Sequence, residues 1–349
     1  MIKKRKIGIT NLEITELGMG TAPIGGWPKL VTPEEAHNTL NAAWDKGIRY
    51  FDTAPLYGSG MAEERLGKFL KTKKREEFSL ATKVGRLVVN TEKGNLKFAG
   101  QDPNKDTIFD FSYDATMRSL EESLKRLQLD SVDIVHLHDP DNHPDHLNEA
   151  KKGAIKAMIK LRDEKVIKAL GCGMNQNEML LDLAKLGCFD CFLLAGRYSL
   201  IDQTSLEELI PYCESNKISL ILGGVFNSGI LINPSPNTYF DYSKLDENWF
   251  ENLSASLVRI PKDFESAEYW LNKAYKLRDF CQKYNVSLKR AAIQFPYAND
   301  VVASEVLGMS KVSEVEENFF DYQNRIPNEF WNELKELDLI DKRAPIKFI

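Results

Sequence analysis

Short apolar runs alternate with longer amphipathic stretches along most of this chain. ITELGMGTA and IRYFDTA read as the first two strands, FSLATKV as the third and SVDIVHLHD as the fourth. VIKALGCG, DCFLLAG, KISLILGGV and VVASEVLG supply the rest. They are nearly continuous apolar runs rather than strict alternations, as expected for parallel strands covered on both faces. Between them lie PEEAHNTLNAAWDKG, AEERLGKFLKTKK, DATMRSLEESLKRLQ, NEAKKGAIKAMIKLRDEK and NQNEMLLDLAKLG, which read as amphipathic helices. In the third of these, Met117, Leu120, Leu124 and Leu127 share one face, and Asp114 is placed to cap it. Pro33 suits the first turn of the first helix behind Thr32, and Gly47 suits its C-terminal end.

Strands joined by crossover helices predict a closed parallel barrel: an α/β fold of the (β/α)8 TIM type, as one domain over residues 1–349. An open doubly wound sheet is the rival, but its GxGxxG fingerprint is absent after the first strand; Gly18, Gly20, Gly25 and Gly26 do not keep that spacing. RKIGITNLEI reads as an N-terminal β-hairpin turning near Thr10 and Asn11, placed to close the bottom of the barrel. Two segments break the repeat. Residues 88–113 are polar and interrupted by Gly and Pro, and residues 231–262 are rich in Pro and aromatic side chains. Both read as long loops on the C-terminal face, where such loops shape a substrate site. NEFWNELKEL reads as a last helix packing Phe330, Trp331 and Leu334 inward.

A net charge of -5 gives no overall basic excess for nucleic acid or an anionic membrane. The start, MIKKRKIGIT, lacks the apolar core of a secretory signal, and no apolar run approaches the length of a membrane span. The five cysteines, Cys172, Cys188, Cys191, Cys213 and Cys281, are odd in number and scattered. They read as buried thiols of a cytoplasmic protein rather than a disulfide framework, and the single CxxC of Cys188 and Cys191 has no second copy.

Chemistry gathers at strand ends. Asp52 closes the second strand and Tyr57 follows it; Lys83 lies at the end of the third and His138 at the end of the fourth. Polar groups at successive strand ends of a barrel suit proton-coupled chemistry. Singly, each has a plainer reading: a turn cap, a rim aromatic, a solvated lysine. Alternation sends His136 and His138 to the same side, so geometry alone does not choose between them. His143 and His146 sit with Asp139, Asp141 and Asp145 in a loop that reads as solvated; no metal site is expected.

FDTAPLYGSGMAEERLGKFL, SLATKVG and VDIVHLHDPD together resemble the aldo-keto reductase superfamily over nearly the whole chain. FDFSYDATMRSLEESLKRLQLDSVDIVHLHDPD and LLAGRYSLIDQ resemble the branch holding D-threo-aldose 1-dehydrogenases, L-fucose dehydrogenases and pyridoxal 4-dehydrogenases. The resemblance implies oxidation of a cyclic hemiacetal, such as that of L-fucose, to a lactone with NAD or NADP. It makes Tyr57 the proton-transfer residue. A free phenol titrates near about 10; Lys83 is expected to favour the phenolate, with Asp52 holding the ammonium. His138 becomes the donor or orienter at the substrate oxygen.

By the same resemblance Asn175 meets the nicotinamide carboxamide, and Tyr198 stacks on the ring or packs in the core. Arg197 reaches the pyrophosphate or substrate, or pairs with a carboxylate. Gly224, Asn227, Ser228 and Gly229 allow close approach of a pyrophosphate. Ser310, Lys311, Glu314, Glu317 and Asn318 take the adenosine end. An acid at Glu314 repels a ribose phosphate, so NAD is expected, with NADP the alternative. The expected partner is a small sugar or aldehyde, and the assembly a monomer or homodimer. Rival readings are an aldehyde or pyridoxal oxidoreductase of the same fold, or a non-catalytic barrel that keeps the cofactor groove.

Overall fold

Eight parallel strands close into a barrel in the computed structural model, which describes residues 2–142, 144–235 and 267–346. They are β3 (Leu17–Gly20), β4 (Tyr50–Asp52), β5 (Ser79–Val84), β8 (Ile134–His138), β9 (Ala169–Met174), β10 (Cys191–Ala195), β11 (Ser219–Gly223) and β12 (Val302–Gly308), and β12 pairs back onto β3. The expected barrel is therefore present. So is the hairpin: β1 (Lys4–Lys6) pairs antiparallel with β2 (Glu13–Thr15).

Alternation sorts the core into two layers. Tyr50, Ala81, Ile134, Ala169, Cys191, Ile221 and Ala303 face inward and cluster with Ile7, Leu12 and Ile14, so the hairpin plugs the bottom of the cylinder. The outward residues, Phe51, Leu80, Val135, Leu170 and Phe192 among them, pack under the surrounding helices. The Arg5 guanidinium fixes the plug by donating to the carbonyls of Tyr297 (2.9 Å), Asn299 (3.0 Å) and Val302 (2.8 Å) and pairing with Glu16 (2.6 Å).

The first helix, Pro33–Asp45, starts and ends as its sequence predicts. Thr32 Oγ1 accepts from the Glu35 N–H, Glu35 returns to the Thr32 N–H, and Gly47 follows the last turn at φ 89°. The last helix, Asn328–Glu336, buries Phe330, Trp331 and Leu334 completely.

Three expectations need correction. The helix read from Asp114 begins at Tyr113, and its cap is Ser112, whose Oγ accepts from the Ala115 N–H at 3.2 Å. The stretch NEAKKGAIKAMIKLRDEK is two helices, Pro144–Lys152 and Ala154–Asp163, broken at Gly153. A Cβ there would stand 2.7 Å from the Phe111 carbonyl oxygen, so close backbone contact both demands glycine and interrupts the helix. The supposed loop 88–113 is a loop over 91–104 only; it connects an antiparallel hairpin of β6 (Arg86–Asn90) and β7 (Lys105–Phe109), which runs into the helix from Tyr113. Of the second supposed loop, 231–262, residues 236–262 lie outside the described residues.

Candidate active site

The C-terminal rim of β4, β5 and β8 carries the polar groups. On β4, Tyr50 points in, Phe51 out and Asp52 in again. On β5, Ala81 and Lys83 point in, while Thr82 reaches out to Glu63 at 2.7 Å. Register sets Asp52 beside Ala81 and Lys83 beside His136, and places His138 beside Gly173 on β9. Asp52, Lys83 and His138 thus line one rim in step with the sheet.

Lys83 is only 1% exposed. Its ammonium donates to Asp52 Oδ1 at 2.5 Å and to the Thr53 carbonyl at 2.8 Å, and lies 4.9 Å from the centre of the Tyr57 ring. Burial alone would discharge this lysine. The Asp52 carboxylate and the Tyr57 oxygen outweigh that penalty and hold its pKa above the ordinary value, so it stays a cation. Tyr57 is reached by the tight turn 54–60, in which Gly58 (φ 67°) and Gly60 (φ 94°) take left-handed backbone. Gly25 packs beneath it; a Cβ there would stand 3.0 Å from the Tyr57 backbone.

The phenol of Tyr57 departs from expectation. Lys83 does pull its pKa down, but burial pushes harder, Asp52 adds to the push, and the net shift is upward. Tyr57 is therefore a protonated acid at neutral pH.

His138 faces the Tyr57 ring edge-on, with centroids 6.2 Å apart. Burial first, then Lys83, Arg86 and His136, hold its pKa well below the usual imidazole range, so it is neutral. Its Nδ1 is buried without a partner among the described residues. His136 sits deeper, wholly buried, against Gly171, where a Cβ would fall 2.3 Å from its Nδ1. The choice that alternation left open is settled by depth: His138 is at the mouth and His136 is barrel filling.

Several residues at this mouth were given no site role by the sequence, and Asp139 and Asp141, read as part of a solvated loop, are largely buried. Asp139, the first residue past β8, takes left-handed backbone at φ 47°, and its Oδ2 lies 3.5 Å from His138 Nε2 and 3.2 Å from Arg86 Nη2. Arg86 comes two residues after β5 ends and stacks on the Phe109 ring at 3.8 Å. Phe98, from the hairpin tip, bridges Tyr57 (6.3 Å) and Trp27 (5.6 Å) as an aromatic wall. Adjacency was the available signal: Asp139 follows His138 directly, and Arg86 follows Lys83 by three residues. His146 packs on Phe109 and Phe111, and His143 lies outside the described residues.

Farther round the same rim, Asn175 follows β9, and its carbonyl accepts from Arg197 Nε at 3.0 Å while Arg197 Nη1 pairs with Asp202 at 3.2 Å. Arg197 therefore has the carboxylate partner that was one of its readings. Tyr198 is 1% exposed, lies 5.4 Å from the Phe295 ring and accepts from Asn299 at 3.4 Å; these are packing contacts. Gly224 (φ 61°), Asn227 (φ 43°), Ser228 (φ 59°) and Gly229 (φ 96°) form a run of left-handed turns after β11, with Asn227 Nδ2 donating to the Gly196 carbonyl at 3.0 Å. After β12, Glu314 Oε2 accepts from the Ser310 N–H (2.7 Å) and hydroxyl (3.1 Å). Lys311 is exposed, Glu317 pairs with Lys289 at 2.9 Å, and buried Asn318 leaves its Oδ1 without a partner among the described residues.

Residues 16–339 match the model of the Aldo/keto reductase family. The chain is 35% identical to pyridoxal 4-dehydrogenase of Microbacterium luteolum, over 97% of this chain and 98% of that one. It is 36% identical to D-threo-aldose 1-dehydrogenase of a Pseudomonas species, over 94% and 95%. L-galactose dehydrogenase of Arabidopsis thaliana is 30% identical, over 91% and 87%. Among solved structures, the holo form of aldo-keto reductase AKR11C1 from Bacillus halodurans superposes with a TM-score of 0.70 at 23% identity, covering 100% and 98%, which speaks for the fold alone.

Proposed function

The chain belongs to the aldo/keto reductase family of oxidoreductases, and from that premise we propose that it oxidises the cyclic hemiacetal of an aldose at C1 to the lactone, using NAD. The observation that carries this reading is the buried Lys83 ammonium, bonded to Asp52 and set against Tyr57, with neutral His138 facing the same ring. A nicotinamide dinucleotide, when bound, would supply the hydride acceptor, and Lys83 draws on the phenolic proton. Once Tyr57 has released its own proton to solvent, the C1 hydroxyl passes its proton to the phenolate oxygen as the C1–H bond breaks, its electron pair leaves with hydrogen and the C=O bond forms. Lys83 stabilises the charge that Tyr57 carries in that exchange, and Asp52 fixes Lys83. His138, being neutral, holds the reacting oxygen by one hydrogen bond without adding a charge. In the reverse direction the protonated Tyr57 is already the acid required.

The residues of this rim past β9, β11 and β12 fit a dinucleotide. The left-handed turns at Gly224 and Asn227–Gly229 expose backbone for a pyrophosphate. The unpartnered Asn318 Oδ1 suits an adenine amine. Glu314 stands at the start of the helix Val312–Gln323 on Ser310, which favours a free ribose hydroxyl over a ribose phosphate.

The aromatic wall of Tyr57, Phe98 and Trp27 favours a second reading, oxidation of a planar aldehyde such as pyridoxal. A screen of reduced-cofactor absorbance with L-fucose, D-arabinose, L-galactose, pyridoxal and simple aldehydes, each with NAD and NADP, separates the two. NAD-linked oxidation of at least one aldose is expected. Silence on every sugar with fast pyridoxal turnover overturns the aldose reading.

A further inference from the structure

We propose that Asp139, held by Arg86, is a specificity-determining residue that accepts a hydrogen bond from a hydroxyl on the carbon next to the reacting one, and so selects 2-hydroxy carbonyl compounds over plain aldehydes. The assignment rests on the oxidoreductase reading above and deepens its substrate class.

Position comes first. Asp139 directly follows the strand that presents His138, and its own N–H is tied to the Gly173 carbonyl on β9 at 3.0 Å. The left-handed turn at φ 47° is one that few residues besides Gly, Asn and Asp adopt readily. It sets the carboxylate on the edge of the imidazole, 3.5 Å from Nε2. A substrate oxygen that takes the Nε2 hydrogen bond therefore lies beside Asp139 Oδ2. The oxygen on the neighbouring carbon is then within reach of the same carboxylate.

Charge comes second. Arg86 is 3% exposed, sandwiched onto Phe109, and its Nε is buried with no partner among the described residues. A buried guanidinium needs a counter-charge, and Asp139 is the carboxylate it meets, at 3.2 Å. Burial raises the Asp139 pKa to about 6, with Asp141 adding to that push and Arg86 and Lys83 opposing it. At neutral pH the group is thus mainly ionised and accepts hydrogen bonds only. Arg86 uses one side of it, and a hydroxyl donor satisfies another. A substrate with that hydroxyl gains one charge-assisted hydrogen bond that a plain aldehyde does not make, which corresponds to roughly tenfold to hundredfold in kcat/KM.

The test measures kcat/KM on matched pairs with the full-length protein: glycolaldehyde against acetaldehyde in reduction, and an aldose against its 2-deoxy counterpart in oxidation. The wild type is expected to favour the hydroxylated member at least tenfold in each pair it turns over. Asp139→Gly keeps the left-handed backbone and deletes the acceptor; Asp139→Asn keeps shape and backbone and removes the charge. Both are expected to shrink the preference, because the hydroxylated member loses more than its partner does. Equal kcat/KM within the wild-type pairs overturns the proposal, as does a preference that both variants retain. If no aldose is oxidised but an Asp139-dependent preference for glycolaldehyde is found, the aldose reading falls and the assignment of Asp139 stands.

Discussion

Removing Lys83 separates what the buried pair does for chemistry from what it does for the fold. Lys83→Met deletes an ammonium that is 1% exposed and leaves Asp52, 3% exposed, with a buried carboxylate whose Oδ2 has no partner among the described residues. Breaking a buried ion pair by truncating one side costs about 3–5 kcal/mol. The same change removes the one group that draws the Tyr57 proton off, so the phenol moves further up and turnover falls about 10²–10⁴-fold. Adding Asp52→Asn removes the stranded charge. The double variant K83M/D52N is therefore expected to recover most of the lost stability and none of the lost activity. Urea denaturation at unchanged m-value reads the first quantity and single-turnover kinetics the second. A double variant as unstable as K83M alone, or one with restored turnover, refutes the reasoning.

Tyr57→Phe is expected to lower kcat by orders of magnitude while cofactor affinity, read by fluorescence titration, changes far less. Equal loss of both would mark a structural tyrosine. The histidines His136 and His138 set the acid limb of stability: both have folded pKa values held well below 6.5, chiefly by burial. The unfolded chain therefore binds more protons below that pH. The contribution of each histidine is full above about pH 6.5 and falls by roughly 1.4 kcal/mol per pH unit as pH drops, opposed by the buried carboxyls Asp139 and Glu305, whose raised pKa values make the folded state take up protons first. His136→Leu should flatten that limb in denaturant titrations run across pH. Glu314→Arg exchanges the acid on Ser310 for a cation; the ratio of kcat/KM for NADP over NAD is expected to rise, and an unchanged ratio would remove Glu314 from cofactor choice.

The barrel was legible because the strands are apolar runs of similar length, and the rim residues because each ends a run. What stayed hidden depended on contacts between distant segments. Ser112 and Asp114 are both good caps by type, and only the start of the helix at Tyr113 decides between them. In the hairpin β6–β7 the run Leu87–Val89 follows the third strand after one glycine and one arginine, and its partner KDTIF begins with three polar residues beyond a 14-residue connection, so the pairing of Arg86 with Phe109 has no local signal. Gly153 looks like any helical glycine until the Phe111 carbonyl is placed against it. The sign of the Tyr57 shift required the degree of burial, which a sequence does not state.

The clasp of Arg5 on three carbonyls near residue 300 has a bearing on how this molecule is born. Synthesis delivers the plug well before the sealing strand, Val302–Gly308, so the emerging chain waits with an open seam until that strand arrives. An added N-terminal tag that crowds Arg5 would thus slow ring closure and raise aggregation during expression, even where the finished enzyme tolerates it.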